Sequence, residues 1–266
     1  MLRVESVTYR HAGATRPSLV EIDLELDEGG VVGVVGANGS GKSTLCLVLT
    51  GLAPRVVGGA LNGRVLVDDD DLASLKMHEI SARVAIGFDD PWTQLSGVAQ
   101  TVYEEVAFGA ANLGTPLPEL TARVGGALEA LAIEHLADRE PAHLSGGQQQ
   151  LVAIAGLLAM GPRHLVLDEP TAQLDPSGTS LVADALGRLA GEGASILLVE
   201  HKTDLLARVA ERVLVLDAGR LVGDGPARDV LADPRLRELG IAEPSTNRLR
   251  RRLLEAGVDP ATLGAA

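Results

Sequence analysis

Val31-Val-Gly-Val-Val-Gly36-Ala37-Asn38-Gly39-Ser40-Gly41-Lys42-Ser43-Thr44 is the stretch from which the fold is read. Val31 to Val35 is a nearly continuous apolar run, which suits a strand covered on both faces in a parallel sheet. Gly36 to Ser43 matches G-x-x-x-x-G-K-[ST]. Leu45 to Leu49 continues with helical character, so the motif stands in the strand–loop–helix setting that gives it meaning. Glycines let successive N–H groups curl inward around phosphate oxygens, and the N-terminus of the following helix adds a partial positive charge. Lys42 has the reach for β and γ phosphates, and the Ser43 hydroxyl is a ligand for Mg2+. The expected phosphate-binding set is Gly36, Ala37, Asn38, Gly39, Ser40, Gly41, Lys42, Ser43 and Thr44.

Further strands are expected on both sides of this loop. Glu21 to Leu26 alternates apolar and acidic residues, and Arg64 to Val67, Val84 to Phe88, Leu165 to Leu167, Ile196 to Val199 and Val213 to Leu216 are short apolar runs. The acidic run Asp68 to Asp71 reads as a solvated turn. From Asp89 to about Gly161 the pattern is helical. Ala122, Leu128, Leu131 and Ile133 mark one segment, and Leu151, Ile154, Leu157 and Leu158 another. After Leu221 the chain turns polar, and Arg248 to Ala256 reads as a basic helix. Strands alternating with helices predict an α/β fold with a mostly parallel sheet, carrying a helical insertion.

Composition excludes several functions. Among 266 residues aromatics are 2%, so a platform of exposed rings for single-stranded nucleic acid is not expected. The net charge of −13 argues against a general nucleic-acid binder. A single cysteine, Cys46, excludes an internal disulfide or a Cys-based zinc site. Met1 to Arg10 lacks the apolar run of a signal peptide, and no uninterrupted apolar stretch has the length of a membrane span.

Two more elements carry chemistry. In His164-Leu-Val-Leu-Asp168-Glu169 a buried strand ends in a carboxylate, which puts Asp168 at the sheet edge where phosphates and Mg2+ sit. Glu169 stands beside it, placed to polarise an attacking water. Leu144-Ser145-Gly146-Gly147-Gln148 leads into a helix and forms a second nest of N–H groups. Taken alone it can also be read as a plain N-cap on Ser145.

In this order the three elements resemble the ATP-binding-cassette ATPase family, over about residues 2 to 225. The resemblance implies a P-loop NTPase (RecA-like) core with an antiparallel β subdomain (residues 1–88 and 162–225), a helical subdomain (89–161) and a C-terminal extension (226–266). It implies ATP and Mg2+, with Ser43 and Asp168 as metal ligands and Glu169 and His201 as catalytic residues. Ser145, Gly146, Gly147 and Gln148 of one subunit would close over the γ-phosphate held by another. Ala172-Gln-Leu-Asp175 is similar to the turn that crosses the dimer interface. Two positions depart from the pattern. His11 stands where an aromatic ring usually stacks on adenine. Asp89 replaces the glutamine that links metal and water to the transporter contacts; Gln94, five residues on, would compensate in part.

Gly87-Phe-Asp89-Asp-Pro-Trp-Thr-Gln94-Leu, Thr101-Val-Tyr-Glu-Glu105-Val-Ala-Phe-Gly109 and Asn112-Leu-Gly114 are similar to the energy-coupling factor transporter ATPases. So are Gly225-Pro226, Leu239 to Pro244 and the basic helix Arg248 to Ala256, which in that branch helps to hold the dimer. This resemblance implies two ATPase subunits, alike or different, on the cytoplasmic face of the cell membrane. They would bind a transmembrane coupling protein and a substrate-binding membrane subunit for a vitamin or transition-metal ion. Asp89, Asp90, Glu104 and Glu105 would face an arginine on the partner. An ordinary importer or exporter ATPase is the alternative; a cassette acting in DNA repair or on the ribosome, or a regulatory cassette, are more distant ones.

Overall fold

The apolar runs on either side of the P-loop pair into one sheet. In the computed structural model, which describes residues 1–256, ten strands occur in chain order: β1 Leu2–Arg10, β2 Leu19–Leu26, β3 Gly30–Val35, β4 Ala60–Val67, β5 Asp70–Asp71, β6 Val84–Gly87, β7 His164–Asp168, β8 Ser195–Val199, β9 Arg212–Asp217 and β10 Arg220–Pro226. A six-stranded sheet has the order β10-β9-β3-β8-β7-β6. All of its pairings are parallel except β10 with β9. The parallel register sets Asp168 beside Val199 and Val35 beside Val215, so the P-loop and the ends of β7 and β8 emerge on one edge.

Strand period decides what each face buries. Val34, Val166, Leu197, Val199, Leu214 and Leu216 face a core shared with the helix Lys42–Leu49 and a second, antiparallel sheet of order β2-β1-β4-β5. Their neighbours Val35, Leu165, Leu167, Ile196, Leu198 and Val215 face the helices Gly146–Met160 and Pro176–Gly191. Both faces are covered, as a parallel sheet requires.

Strand β1 was absent from the expected elements, and its burial shows why. Leu2 and Val4 are buried, then Val7 and Tyr9, so the alternation changes phase between them. A register shift separates Val4 from Val7, and Ser6 takes a positive φ of 47°. A bulge of this kind inserts a residue and defeats a simple period-2 reading.

The helical stretch also begins later than expected. Between Asp89 and Thr101 the chain makes only a 3-10 turn, Pro91–Thr93, capped by the Asp90 carboxylate. The helices are Val102–Asn112, Leu117–Ala130 and Gly146–Met160. Leu131 and Ile133 lie beyond the second of these, because Ala132 turns the chain at φ 53°. The acidic run is an exposed turn as expected, leading into the short β5, and its charges are paired. Asp68 receives the Met1 amino group and pairs with His164, Asp69 pairs with Arg3 and Asp70 with Arg83.

After β10 come the helices Ala227–Val230, Arg235–Glu238 and Ser245–Glu255. The basic helix is therefore present, ending at its C-cap Ala256. Residues 257–266 of the expected extension lie outside the described residues. No helix among the described residues is long and apolar enough to cross a membrane.

Candidate functional site

Backbone crowding explains the glycines of the P-loop. A Cβ on Gly36 would lie 2.3 Å from the Leu216 carbonyl oxygen, and Gly41 has φ 109° with the Ser18 carbonyl 2.6 Å from its would-be Cβ. The loop can pass between β9 and the β1–β2 connection only without side chains at these positions. No side chain caps the N-terminus of the helix Lys42–Leu49, and no acidic residue occupies its first turn. Its N–H groups and dipole are left for an external anion. Lys42, 5% exposed, lies across the loop and donates to the carbonyls of Gly36 (2.9 Å) and Ala37 (3.1 Å). Burial lowers the Lys42 pKa, and the Glu169 and Asp168 carboxylates pull it back up.

Asp168 ends β7 facing the same space. It is 7% exposed, and its Oδ1 is buried without a hydrogen-bond partner. Burial raises its carboxyl pKa, the Ser43 hydroxyl opposes this, and the Glu169 and Asp89 carboxylates push it up further. An unpartnered carboxylate oxygen beside a hydroxyl and two more acids is a donor set suited to a hard divalent cation. No group of three His, Cys, Asp or Glu side chains among the described residues forms a protein-only cage. A cation here would complete its shell with phosphate oxygens or water.

Glu169 follows at φ 51°, its N–H donating to the Val199 carbonyl at 2.9 Å. Its Oε1 meets His201 Nε2 at 2.8 Å. The two residues picked out from separate strand ends are thus in direct contact, beside Asp168 and Lys42. A carboxylate paired with an imidazole at the mouth of a phosphate nest can orient and deprotonate a water.

The remaining candidates divide. His11 Nε2 lies 3.2 Å from Thr44 Oγ1, and its ring stands edge-on to buried Tyr9 at 4.9 Å between centroids. His11 is therefore tethered to the end of the P-loop. Asp89 is exposed and close enough to act on the Asp168 charge. Gln94 is not free to stand in for the missing glutamine. Its Oε1 accepts from Phe88 N (3.1 Å) and its Nε2 donates to Ile86 O (3.2 Å), which commits the amide to the end of β6. Asp90 and Glu104 are likewise committed as local caps, and Glu105 holds Ser96 through both carboxylate oxygens. Ser145 and Gln148 form a reciprocal capping box at the start of the helix Gly146–Met160. Asp175 caps the helix Pro176–Gly191 through Gly178 N at 2.7 Å.

Two residues at the site escaped the sequence reading: Glu200 and Lys202, which flank His201. Glu200 is buried and bound by Thr171, His201 and Lys202, while Lys202 Nζ reaches the carbonyls of Thr171 and Leu174. Charged residues directly after a fully buried strand were the available signal.

Known proteins are similar to this chain in sequence and fold. The ABC transporter family profile matches residues 19–172. The chain is 40% identical over 260 residues to the energy-coupling factor transporter ATP-binding protein EcfA of Methanosarcina acetivorans, covering 97% of this chain and 91% of that one. Provisionally named ABC transporter ATP-binding proteins of Methanosarcina mazei and M. acetivorans are also 40% identical, but the chain spans only 43% and 41% of their length. Among solved structures, cbiO1 from Clostridium perfringens, part of the ABC transporter complex cbiONQ, superposes with a TM-score of 0.76 at 34% identity, covering 94% of this chain and 98% of that one. A dimeric ATP-binding cassette bound to ADP and Pi in a post-hydrolysis state gives 0.74 at 27% identity, covering 86% and 99%. With its P-loop, its strand-end carboxylates and these relatives, the chain belongs to the ABC transporter family and is an ATPase cassette of that family.

Proposed function

We propose that this chain is the ATP-hydrolysing subunit of an energy-coupling factor transporter, working as a dimer against a transmembrane coupling protein on the cytoplasmic face of the membrane. The observation that carries the hydrolytic part is the 2.8 Å contact between Glu169 and His201 beside Asp168 and Lys42. The P-loop N–H groups and Lys42 hold the β and γ phosphates. His11 offers a ring face to the base while its edge stays on Thr44. Glu169 orients and deprotonates the attacking water, and His201 fixes the carboxylate and contacts the γ-phosphate. Ser43 and Asp168, with the neighbouring charge of Asp89, would hold Mg2+, which when bound would offset phosphate charge. The Ser145–Gln148 nest serves the nucleotide of the partner subunit, and Asp175 lies on the turn that meets that subunit.

Similarity to EcfA and to cbiO1 supports the coupling-factor branch. A cavity of about 270 Å³ beside β6 supports a membrane partner. It is lined by Met77, Gln94, Phe108, Gly109 and Met160, and the Phe108 side chain is half-exposed. An amphipathic helix can seat an apolar side chain there. The alternative, an ordinary importer or exporter ATPase, shares all of the chemistry. The test is co-expression of the full chain with a coupling-factor transmembrane protein. Co-purification and ATPase activity are expected, with Phe108→Asp releasing the partner while hydrolysis by the free chain persists. Failure to bind that protein alongside intact hydrolysis would favour the ordinary transporter.

A further inference from the structure

Glu200 is an expensive residue to keep. It follows directly on β8 at 2% exposure, and no Lys, Arg or His among the described residues lies within ion-pair distance of it. A carboxylate so buried is tolerated only when hydrogen bonds replace its water. Four donors do this, from two segments. Thr171 N (3.2 Å) and Thr171 Oγ1 donate to Oε1; His201 N (3.1 Å) and Lys202 N (3.2 Å) donate to Oε2. Lys202 closes the ring from the other side. Its Nζ donates to Thr171 O (2.7 Å), Leu174 O (3.2 Å) and Thr179 Oγ1 (3.2 Å). These bonds straddle the Glu169–His201 contact, because Thr171 is two residues beyond Glu169 while Glu200 and Lys202 flank His201.

We propose that Glu200 and Lys202 are positioning residues that set the Glu169–His201 contact and lock it to the 172–175 turn. The proposal rests on the reading of Glu169 and His201 as the catalytic pair. Movement of the turn, which runs into the helix Pro176–Gly191 and its first-turn residue Thr179, is carried through Lys202 Nζ and Thr171 to the backbone of His201. A glutamine at position 200 cannot reproduce the ring. Its amide has one acceptor oxygen, and its NH2 would face N–H donors at the other end.

The experiment uses the full chain with Glu200→Gln and Lys202→Met, each alone and on a His201→Ala background. Turnover is followed by single-turnover hydrolysis of labelled ATP, alongside ATP affinity and thermal melting. Because misplacement of a reacting group by about 1 Å costs roughly a hundredfold, Glu200→Gln is expected to lower kcat tenfold to a hundredfold, with KM within about twofold. On the His201→Ala background it should cost nothing further, since residues acting through one another are non-additive. Lys202→Met should show the same pattern, and carries the test if Glu200→Gln does not fold. The same loss on both backgrounds, or a lower melting temperature with unchanged kcat, overturns the proposal alone. Undiminished turnover in His201→Ala overturns the catalytic pair, and this proposal with it.

Discussion

Glu169 sits in the left-handed region at φ 51°, a conformation that costs a non-glycine residue on the order of 1–3 kcal/mol. The strain turns its carboxylate off the line of β7 and onto His201, while Asp168, one residue earlier, continues into the buried pocket. Adjacent carboxylates thus have different surroundings, and Asp168, not Glu169, is the one with an orphaned oxygen. Asp89 adds a third charge to this group. Replacing it with a neutral amide removes attraction for a cation and repulsion of phosphate together. Asp89→Gln should therefore raise the magnesium midpoint of nucleotide binding and tighten binding of metal-free ATP, both read by equilibrium titration. An unchanged midpoint would leave Asp89 as a loop residue. Gln94 has a different role, so Gln94→Ala should cost about 1–2 kcal/mol of stability through its two backbone hydrogen bonds and leave that midpoint in place, measured by denaturant unfolding and the same titration.

At the level of elements, the P-loop strand, its helix and the buried strands β7 and β8 were readable because each combines a clear apolar pattern with a chemical landmark. Of the antiparallel sheet, β2 and β4 were readable in part, but β1 was not, because the bulge at Ser6 shifts its alternation mid-strand. Nor was the link between the sheets. His164 opens β7 but belongs electrostatically to the turn after β4, where its Nε2 meets Asp68 at 3.1 Å. Burial lowers the His164 pKa against the pull of Asp68. Burial pushes Asp68 up, but hydrogen bonds from His164 and the Met1 amino group outweigh it and hold the carboxyl below its usual value. For a histidine depressed in the folded state the unfolded chain takes up protons first. Stability is therefore present above the unfolded value of 6.5 and falls as pH drops below it. The depressed Asp68 adds a loss in the same direction at lower pH. His164→Gln should flatten the fall in melting temperature between about pH 7 and 5. A profile as steep as wild type would place the acid sensitivity elsewhere. Within the core beneath the P-loop, Leu45→Ala should cost about 2–5 kcal/mol, measured by denaturant unfolding, because fully buried Leu45 packs there between the two sheets.

Across the whole molecule, the chemistry is assembled from distant parts of the chain, and the C-terminal extension returns to it. Ser245 N and Oγ donate to the Asp204 carboxylate, on the helix Thr203–Val209 that begins two residues after His201. Asp204→Asn should loosen the helix Ser245–Glu255, seen as faster amide exchange there with the P-loop helix unaffected. The extension was anticipated from its resemblance to the coupling-factor branch, whereas this seat on the helix after His201 depended on contacts far apart in sequence. The Ser145–Gln148 nest was readable as a motif, yet within one chain it acts as a helix cap, and the nucleotide role proposed for it requires a dimer. That is the central claim, a site completed by a second copy and opened by hydrolysis at Glu169. Size-exclusion chromatography of Glu169→Gln with Mg-ATP tests it most directly. A stable dimer that collapses to monomer when ATP is replaced by ADP, with hydrolysis nearly abolished, is the predicted result; a monomer under both nucleotides that still binds ATP, or turnover equal to wild type, would contradict it.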